Sequence, residues 1–455
     1  MMRCMNLARV AQELDVEFDG AASQVAGISI DSRKVSRGDL FVALPGARVD
    51  GHDYVNRAAD QGAIAAIIEK PVSAAIPCFL VENSLAAMSS VAKANRSAYS
   101  GSVVAITGSC GKTTVKNMCR SVFRLADSTV ATEGNYNNEF GVPLTLARLG
   151  DDTRYAVVEM GAAGRGHITH LCQLARPTVS VVLNAMEAHL DGFGTIADVA
   201  DIKAEIYDDL PAGGTAVINQ DQPWAEMWER RVAKAGASKL TYSVWGGADV
   251  FASDIQSSGV ASSRFALHHK GRQVAVELPL PGEHSVSNAL AAASLALGAG
   301  IDLELVAQGL AATEGEAGRL QAIPLTENTT LIDDSYNANP GSVRAAIAYL
   351  KSTFRRPALI LGEMLELGEE TEAKHREMGE LAREAKLHRL VGVGEMLKPA
   401  VAAFGPAGSW CAGVDDVADL CADLVRSCDA ILVKGSRGAA MERVVATFRS
   451  AKEFN

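Results

Sequence analysis

The stretch Ser102-Val-Val-Ala-Ile-Thr-Gly-Ser-Cys-Gly-Lys-Thr-Thr-Val-Lys116 decides the fold of the region around it. A run of β-forming residues leads into a turn that contains Gly108 and Gly111, and Lys112 then opens a helical pattern. Glycines let backbone N–H groups face phosphate oxygens, and the N-terminus of the following helix adds its dipole. The segment therefore predicts a triphosphate site on a strand–loop–helix unit.

The side chains of this loop indicate how a triphosphate would be held. Lys112 is expected to reach the β- and γ-phosphates, and the Thr113 hydroxyl is expected to bind Mg²⁺. The spacing G-x-x-G-K-T is shorter than the common G-x-x-x-x-G-K-[ST] spacing. The loop residues predicted to contact ATP are Gly108, Ser109, Cys110, Gly111, Lys112, Thr113 and Thr114.

Length and composition restrict the class of protein. The chain has 455 residues, which is enough for about three domains. Its 48% hydrophobic and 21% charged residues are typical of a soluble globular protein, and its formal net charge of -11 argues against general binding to nucleic acids or anionic membranes. No apolar run reaches the ~18 residues of a membrane span, and the start lacks a signal-peptide core. Eight scattered cysteines without a C-x-x-C pair favour reduced thiols, so we expect a cytoplasmic protein.

Polar side chains follow the next apolar strands of the central region. Tyr155–Glu159 ends in a carboxylate that either faces solvent or presents an acid to Mg²⁺ beside the phosphate loop. His189 follows another strand and is either structural or a ligand at the carboxyl edge of the sheet. The loop 132–143 is rich in Asn and Gly, so it either makes a tight turn or binds a ligand. Its candidate binding residues are Asn135, Asn137 and Asn138.

Lys203 occupies an unusual position in its helix. Ile196, Val199, Ala200 and Ile206 follow the spacing of one apolar helix face, and Lys203 lies on that same face. Burying a lysine without a partner is expensive. The side chain therefore either extends along the apolar surface to reach water, or is paired, neutral or chemically modified near an active site.

The two ends of the chain also show α/β patterns. In the N-terminal part, Ser32 and Arg33 follow a short apolar segment and form either a solvated turn or an anion site. In the C-terminal part, repeated β-loop-α units imply a doubly wound sheet with its site along one edge, and Asn339 and Pro340 fit the N-cap and first position of a helix. We predict an α/β fold with three domains: a small N-terminal α/β substrate domain (1–98), a central P-loop ATPase-like parallel-sheet domain (99–315) and a C-terminal Rossmann-like doubly wound domain (316–455).

Several segments together resemble the Mur ligase family, and they occur in order across all three predicted domains. One residue and one segment depart from the family pattern. Ser285 stands where relatives often have Asn, and the segment 161–167 lacks the common sequence Gly-Ala-Asn-His-Pro-Gly-Glu. The matching segments are Gly108-Ser-Cys-Gly-Lys-Thr-Thr114, Glu133-Gly-Asn-Tyr-Asn-Asn138, Asn184 with His189, Lys203-Ala-Glu-Ile-Tyr207, Asp334-Ser-Tyr-Asn-Ala-Asn-Pro340 and Lys434-Gly-Ser-Arg437.

The resemblance implies an ATP-dependent amide ligase that works through an acyl phosphate and releases ADP and phosphate. Segments 135–139 and 336–341 are similar to those of members that add D-alanyl-D-alanine to UDP-N-acetylmuramoyl-tripeptide in peptidoglycan precursor synthesis. The implied partners are these two small molecules, with no nucleic acid, and a monomer is expected. Another Mur-type ligase, either tripeptide-forming or similar to folylpolyglutamate synthase, is an alternative. A nucleotide-switch protein is a further alternative.

The resemblance also assigns roles by position. Lys112 and Thr113 match phosphate and Mg²⁺ contacts, Glu159 and His189 match ligands of two expected Mg²⁺ ions, and Lys203 matches a carbamoylated lysine, N6-carboxylysine. The nucleotide-contacting positions are Asn288, Arg319 and Asn337. The UDP-sugar end matches Ser32 and Arg33, and the region facing the dipeptide contains Asp334, Asn339, Ser436 and Arg437.

Overall fold

Three β-sheets organise the chain. The computed structural model describes residues 1–3, 5–46, 49–187, 194–258 and 261–450. Along these residues the sheets contain four, nine and six strands. Each sheet is packed against helices around its own buried apolar clusters. The predicted α/β class with three units is therefore confirmed, whereas the boundaries 1–98, 99–315 and 316–455 stay predictions.

The N-terminal sheet is small and wholly parallel, with the strand order β1-β2-β3-β4. Its second strand has three residues and follows a turn in which the Asp39 carboxylate accepts a hydrogen bond from the backbone N–H of Ser36 at 2.8 Å. The elements are α1 (Leu7–Leu14), β1 (Ile28–Ser29), β2 (Leu40–Val42), α2 (Val55–Asp60), β3 (Ala65–Ile68), β4 (Cys78–Leu80) and α3 (Ser84–Ser97).

The central sheet has the order β13-β12-β11-β10-β9-β8-β5-β7-β6. The strands from β11 to β6 are parallel, and the hairpin β12–β13 extends one edge in antiparallel fashion. The strands are β5 (Ser102–Thr107), β6 (Thr129–Ala131), β7 (Tyr155–Glu159), β8 (Val179–Val182), β9 (Thr215–Asn219), β10 (Ser238–Ser243), β11 (Val250–Ser258), β12 (Ser262–His269) and β13 (Arg272–Leu278).

Helices flank this sheet and contribute to its two cores. They are α4 (Lys112–Ala126), α5 (Gly141–Ala147), α6 (His167–Ala175), α7 (Ile196–Lys203), α8 (Ala225–Ala235), α9 (Glu283–Gly298) and α10 (Leu303–Ala311). The predicted helix around Lys203 changes character after that residue, because Ala204–Tyr207 forms a 3-10 helix. Two side chains hold this tighter turn: Glu205 accepts from the N–H of Gly166, and the Tyr207 hydroxyl donates to the carbonyl of Val217.

The C-terminal sheet has the order β14-β15-β19-β16-β17-β18, in which β14 is antiparallel to β15 and the remaining pairs are parallel. Apolar clusters on both faces match the predicted doubly wound pattern. Its strands are β14 (Gln321–Pro324), β15 (Thr330–Asp334), β16 (Pro357–Gly362), β17 (Arg389–Val393), β18 (Gly408–Cys411) and β19 (Ala430–Lys434). Its helices are α11 (Pro340–Thr353), α12 (Thr371–Glu384), α13 (Lys398–Phe404), α14 (Ala418–Ser427) and α15 (Glu442–Ser450).

None of the helices in the described part of the chain has the length and apolar character needed to cross a bilayer.

Candidate active site

A cavity of about 920 Å³ lies between the loops of the central sheet and the C-terminal domain. The carboxyl ends of parallel strands meet at one edge of a sheet, so the loops that follow them share this cavity. The predicted site residues that line it are Gly108, Ser109, Cys110, Gly111, Lys112, Thr113, Thr114, Asn135, Asn137, Asn138, Glu159, Lys203, Asn288, Arg319, Asp334, Asn337, Asn339 and Arg437.

The remaining predicted residues are placed differently. His189 falls in 188–193, outside the described residues. Ser32 and Arg33 belong to the N-terminal domain and do not line this cavity, and the Arg33 guanidinium hydrogen-bonds Asp31 at 2.8 and 2.9 Å, which lowers the pKa of that carboxyl to about 2. Ser436 is buried behind the cavity wall, where its hydroxyl donates to the carbonyl of Ala338 and accepts from the N–H of Leu365. In this structure Ser436 braces two loops.

The phosphate loop has the backbone shape that its glycines allow. Gly111 has φ +82°, and a Cβ at this position would lie 2.6 Å from Oδ1 of Asn288. Helix α4 begins at the next residue, so its N-terminal N–H groups face the loop. Nζ of Lys112 donates to the carbonyl of Gly108 at 2.7 Å, which places the ammonium over the loop. The arrangement is an anion site built from backbone dipoles and one cation.

Asn184 holds the phosphate loop in place, a role that the motif alone did not assign to it. Its Oδ1 accepts from the N–H of Cys110 at 2.9 Å, and its Nδ2 donates to the carbonyl of the same residue at 3.2 Å. Ser109 is bound to the same segment, since its Oγ accepts from the N–H of Met186. The end of β8 therefore braces the loop. An Asn directly after a buried strand was the available sequence signal.

Glu159 presents a carboxylate with one uncommitted oxygen. The side chain is 2% exposed. Its Oε1 accepts from Nδ2 of Asn137 at 2.9 Å, whereas the buried Oε2 accepts no hydrogen bond from any residue that the structure describes. Nζ of Lys116 is 3.7 Å from that oxygen. A buried carboxylate oxygen without a donor is suited to a hard cation such as Mg²⁺.

Lys203 is the last residue of α7 and is 4% exposed, so the solvent-reaching alternative does not apply. Burial lowers the pKa of its ammonium to about 7, and the nearby positive charge of Lys112 contributes to the shift. The amine is therefore largely neutral above neutral pH. A buried, partly neutral amine beside a phosphate loop fits the paired, neutral or modified group predicted here.

The opposite wall of the cavity comes from the C-terminal domain and contains the basic side chains of Arg319, Lys434 and Arg437. The guanidinium carbon of Arg319 lies 4.1 Å from the ring centre of Tyr336, and that of Arg437 lies 5.7 Å from the same ring. Nε of Arg319 is buried and lies 3.4 Å from Oε2 of Glu316, without a hydrogen-bond partner among the described residues. Nζ of Lys434 lies 2.6 Å from Oδ2 of Asp334. This wall offers guanidinium groups to an anion opposite the phosphate loop.

Direct contacts join the two walls. Nδ2 of Asn339 is 3.1 Å from Sγ of Cys110, so the phosphate loop touches the start of α11. Nδ2 of Asn117 donates to Oε2 of Glu316 at 2.8 Å on the other side of the cavity. The domains therefore meet around the site. Sequence patterns did not predict these pairs because each joins residues separated by about 200 positions or more.

Within the described ranges, no group of three or more His, Cys, Asp or Glu side chains converges to hold a metal ion. The predicted oxygen donors Thr113 and Glu159 both line the cavity.

The chain matches known protein families along most of its length. Residues 24–99 match the Mur ligase family catalytic domain, residues 106–296 match the Mur ligase middle domain, and residues 318–437 match the Mur ligase glutamate ligase domain. The chain is 37% identical over 452 residues to UDP-N-acetylmuramoyl-tripeptide–D-alanyl-D-alanine ligase of Escherichia coli (strain K12), with 98% of each chain covered.

Solved structures agree with this match. The chain is similar to MurF from Acinetobacter baumannii with a TM-score of 0.89 and 31% identity, over 97% of this chain and 98% of that one. It is also similar to the MurF ligase from Thermotoga maritima in complex with ADP, with a TM-score of 0.81 and 28% identity over 94% and 98% of the two chains. The chain therefore belongs to the Mur ligase family.

Proposed function

We propose that the chain is an ATP-dependent carboxylate–amine ligase that joins UDP-N-acetylmuramoyl-tripeptide to D-alanyl-D-alanine in peptidoglycan precursor synthesis. The observation that carries this proposal is the shared cavity, in which the phosphate loop, Glu159 and Lys203 face Arg319 and Asn337 of another domain. The relatives of high coverage bear the corresponding ligase name.

The reaction balances in two steps. The terminal carboxylate of the tripeptide attacks the γ-phosphorus of ATP, which forms an acyl phosphate and releases ADP. The free amine of D-alanyl-D-alanine then attacks the acyl carbon, an amide bond forms, inorganic phosphate leaves and the amine loses a proton. The protein positions two anions and excludes water, so it needs no covalent intermediate with a side chain.

The nucleotide is held from both sides in this proposal. Lys112 and the N–H groups of the loop bind the phosphates, and Asn288 contacts the nucleotide from α9. Arg319 and Asn337 contact it from the opposite wall. Concentrating cationic and dipolar groups around the transferred phosphoryl group stabilises its developing charge.

Two Mg²⁺ ions are part of the proposal, and the residues present fit them. The buried Oε2 of Glu159 lacks a donor among the described residues, and Thr113 supplies a hydroxyl in the same cavity. His189 is proposed as a further ligand from its family position. Bound Mg²⁺ would supply charge neutralisation on the phosphate oxygens.

Lys203 is proposed to carry the carbamate of N6-carboxylysine. In carbamoylation the neutral amine adds to the carbon of CO₂ and loses a proton, which gives an anionic carbamate with two oxygen acceptors. Burial favours the neutral amine that reacts, and the positive charge of Lys112 favours the anion that forms.

The substrate residues are proposed by position. Ser32 and Arg33 would bind the UDP end, and Asn135, Asn137 and Asn138 would bind the peptide. The residues proposed for the dipeptide region are Asp334, Asn339 and Arg437, with Ser436 bracing the loops behind them. The monomeric state and the cytoplasmic location stay predictions of the sequence.

An amine-specificity assay tests the proposed function. Phosphate release is measured with ATP, Mg²⁺ and UDP-N-acetylmuramoyl-tripeptide, in the presence of D-alanyl-D-alanine, diaminopimelate or glutamate. We expect release that depends on D-alanyl-D-alanine and a product heavier by that dipeptide minus water. Phosphate release that requires diaminopimelate or glutamate, each supplied with the matching carboxylate substrate, would favour another Mur-type ligase. Nucleotide binding without amine-dependent turnover would favour a nucleotide-switch protein.

A further inference from the structure

Lys116 is a buried cation that the reaction steps above do not use. It lies one helical turn after Lys112 in α4 and is 3% exposed. Its neighbours Val115, Met118 and Cys119 in the same helix belong to the apolar core. Burying an ammonium among such residues carries a desolvation cost that an apolar side chain would avoid. A specific contact of the ammonium is therefore needed to offset this cost.

The contacts of Lys116 lead to the candidate Mg²⁺ ligand and to the Asn-rich loop together. Nζ of Lys116 donates to the carbonyl of Gly134 at 2.9 Å and lies 3.7 Å from Oε2 of Glu159. Gly134 has φ +50°, and an added Cβ would meet no atom within 4 Å, so the loop is not packed against other residues on this side. The bond from Lys116 supplies an anchor at that point.

Two other bonds connect the same loop to the same strand end. Nδ2 of Asn137 donates to Oε1 of Glu159 at 2.9 Å, and the N–H of Gly161 donates to the carbonyl of Asn137 at 2.7 Å. The Glu159 carboxylate thus has Asn137 at one oxygen and the Lys116 ammonium near the other. The orientation of the carboxylate and the position of the loop are fixed by the same set of groups.

We propose that Lys116 is a positioning residue that orients Glu159 for Mg²⁺ and holds the loop 133–138 in its peptide-binding position. This inference rests on the proposed function, because the loop and Glu159 receive their roles there. Lys116 would act through these two partners and would not touch the reacting atoms. The dipeptide would be bound from the C-terminal wall, which Lys116 does not reach, so its binding should not depend on this lysine.

Arg120 offers a matched control on the same helix. It follows Lys116 by one turn and lines, with Lys116, a smaller cavity of about 290 Å³ beside the main one. Lys116→Met removes the charge and keeps most of the apolar stem, so folding should be preserved. Lys116→Arg keeps a donor and a positive charge, and Arg120→Met removes a nearby charge one turn further along α4 while the Lys116–Glu159 contact is kept.

The kinetic test uses the full chain with ATP, both substrates and varied Mg²⁺. Because Lys116→Met removes a hydrogen bond that involves a charged group, we expect it to lower kcat/KM for the tripeptide substrate by roughly 10- to 100-fold and to raise the half-saturating Mg²⁺ concentration. The KM for D-alanyl-D-alanine should stay within about twofold, Lys116→Arg should recover most of the loss, and Arg120→Met should resemble the wild type. Equal losses in Lys116→Met and Arg120→Met, or an unchanged tripeptide KM and Mg²⁺ requirement in Lys116→Met, would overturn the proposal.

A second measurement does not depend on activity. Hydrogen–deuterium exchange of the substrate-free protein should show faster exchange in peptides that cover 133–141 in Lys116→Met, with α4 and the C-terminal domain unchanged. Unaltered exchange of that loop contradicts the anchoring role even if turnover is lost. If the wild-type protein fails the amine-specificity assay but the loop still loosens in Lys116→Met, the proposed function fails and the anchoring role stands.

Discussion

At the residue scale, Lys203 combines near-complete burial with a titratable amine whose pKa is lowered to about 7. We expect Lys203→Ala to lower kcat by about 10²-fold or more, since electrostatic groups in active sites contribute on this scale. Short carboxylic acids such as formate or acetate should restore part of the rate by occupying the space of the carbamate. The measurement is amine-dependent phosphate release with and without added acid.

The control for that experiment is Lys239→Ala. Lys239 is partly exposed and pairs with Glu229 on the protein surface, so its removal should change neither the rate nor the response to acids. Full activity of Lys203→Ala in the absence of acid would exclude the carbamate.

Replacing Gly111 separates the effect of backbone strain on stability from the effect of a side chain on nucleotide binding. Alanine at φ +82° costs about 1–2 kcal/mol, and its Cβ would also meet Asn288 at 2.6 Å. Gly236 at the end of α8 has φ +72° with no atom within 4 Å of an added Cβ. We expect both alanine variants to lose about 1–2 kcal/mol of unfolding free energy, measured by urea denaturation.

Only Gly111→Ala should also weaken nucleotide binding, because its Cβ would displace Asn288 in the nucleotide site. We expect a loss of affinity of about tenfold or more, which corresponds to roughly 1.4 kcal/mol of binding free energy. Titration calorimetry with an unhydrolysable ATP analogue measures it. Equal nucleotide affinity in the two variants would show that the contact between positions 111 and 288 has no role in binding.

At the scale of single elements, Asn339 has two roles that can be separated. Its Oδ1 accepts from the N–H of Ser342 at 2.9 Å and caps α11, and its Nδ2 touches Cys110 of the phosphate loop. Asn83 caps α3 in the same way, with a bond of 2.8 Å from the N–H of Ala86, but lies outside the active-site cavity. We expect alanine at either position to cost about 1 kcal/mol of stability.

The activity of these two variants should differ. Asn339→Ala should also lower kcat/KM for D-alanyl-D-alanine several-fold, whereas Asn83→Ala should leave it unchanged. Asn339→Asp keeps the cap, so its stability should approach that of the wild type while the contact of the amide N–H₂ is lost. If Asn83→Ala and Asn339→Ala affect kinetics equally, the effect of Asn339 is stability alone.

The success of sequence interpretation at this scale depended on local signals. The strand–glycine loop–helix unit at 102–116 and the cap at Asn339 are encoded by neighbouring residues, so their positions could be predicted. The change to a 3-10 helix after Lys203 could not, because Glu205 and Tyr207 are held by partners about 10 to 40 positions away. The antiparallel addition of the hairpin β12–β13 to a parallel sheet was not predicted either.

The candidate site shows the same division. Lys112 opens the helix after the glycine loop and Glu159 ends a strand, two positions that the sequence marks clearly, and both line the cavity. Lys116 resembles an ordinary residue of an amphipathic helix until the fold places it 3.7 Å from Glu159. Asn184 likewise gains its role from bonds to Cys110, 74 positions earlier in the chain. Such residues are identified by tertiary contacts, which a single sequence does not specify.

At the scale of the whole molecule, an ion-pair cluster joins the central and C-terminal domains at one side of the cavity. The Glu187 carboxylate of the central domain lies 3.0 Å from Arg344 and 2.7 Å from Lys374. Burial alone would raise the pKa of Glu187, but the hydrogen bonds from Lys374 and Arg344 outweigh it and lower the pKa. The carboxylate is therefore ionised, and the cluster favours the arrangement in which the two walls of the site face each other.

Ligand binding is expected to bring the central and C-terminal domains closer together. Because ATP contacts are divided between two domains, we expect compaction when a nucleotide analogue and the tripeptide substrate bind, which would exclude water from the acyl phosphate. The double variant Arg344→Ala/Lys374→Ala should reduce the compaction measured by small-angle scattering and lower kcat several-fold. Arg376→Ala is the matched control, since it breaks a pair with Glu372 that stays within α12.

Varying the ionic strength distinguishes an electrostatic contribution of the Glu187 ion-pair cluster to compaction from a purely steric contribution. Salt screens partly exposed charges, with a Debye length of about 10 Å at 0.1 M, so added salt should reduce compaction in the wild type and in Arg376→Ala but change little in the double variant. A wild-type protein that does not compact with both ligands would contradict the closure step. A double variant that compacts like the wild type at every salt concentration would show that the apolar and cavity contacts alone set the domain arrangement, and that Glu187 does not control it.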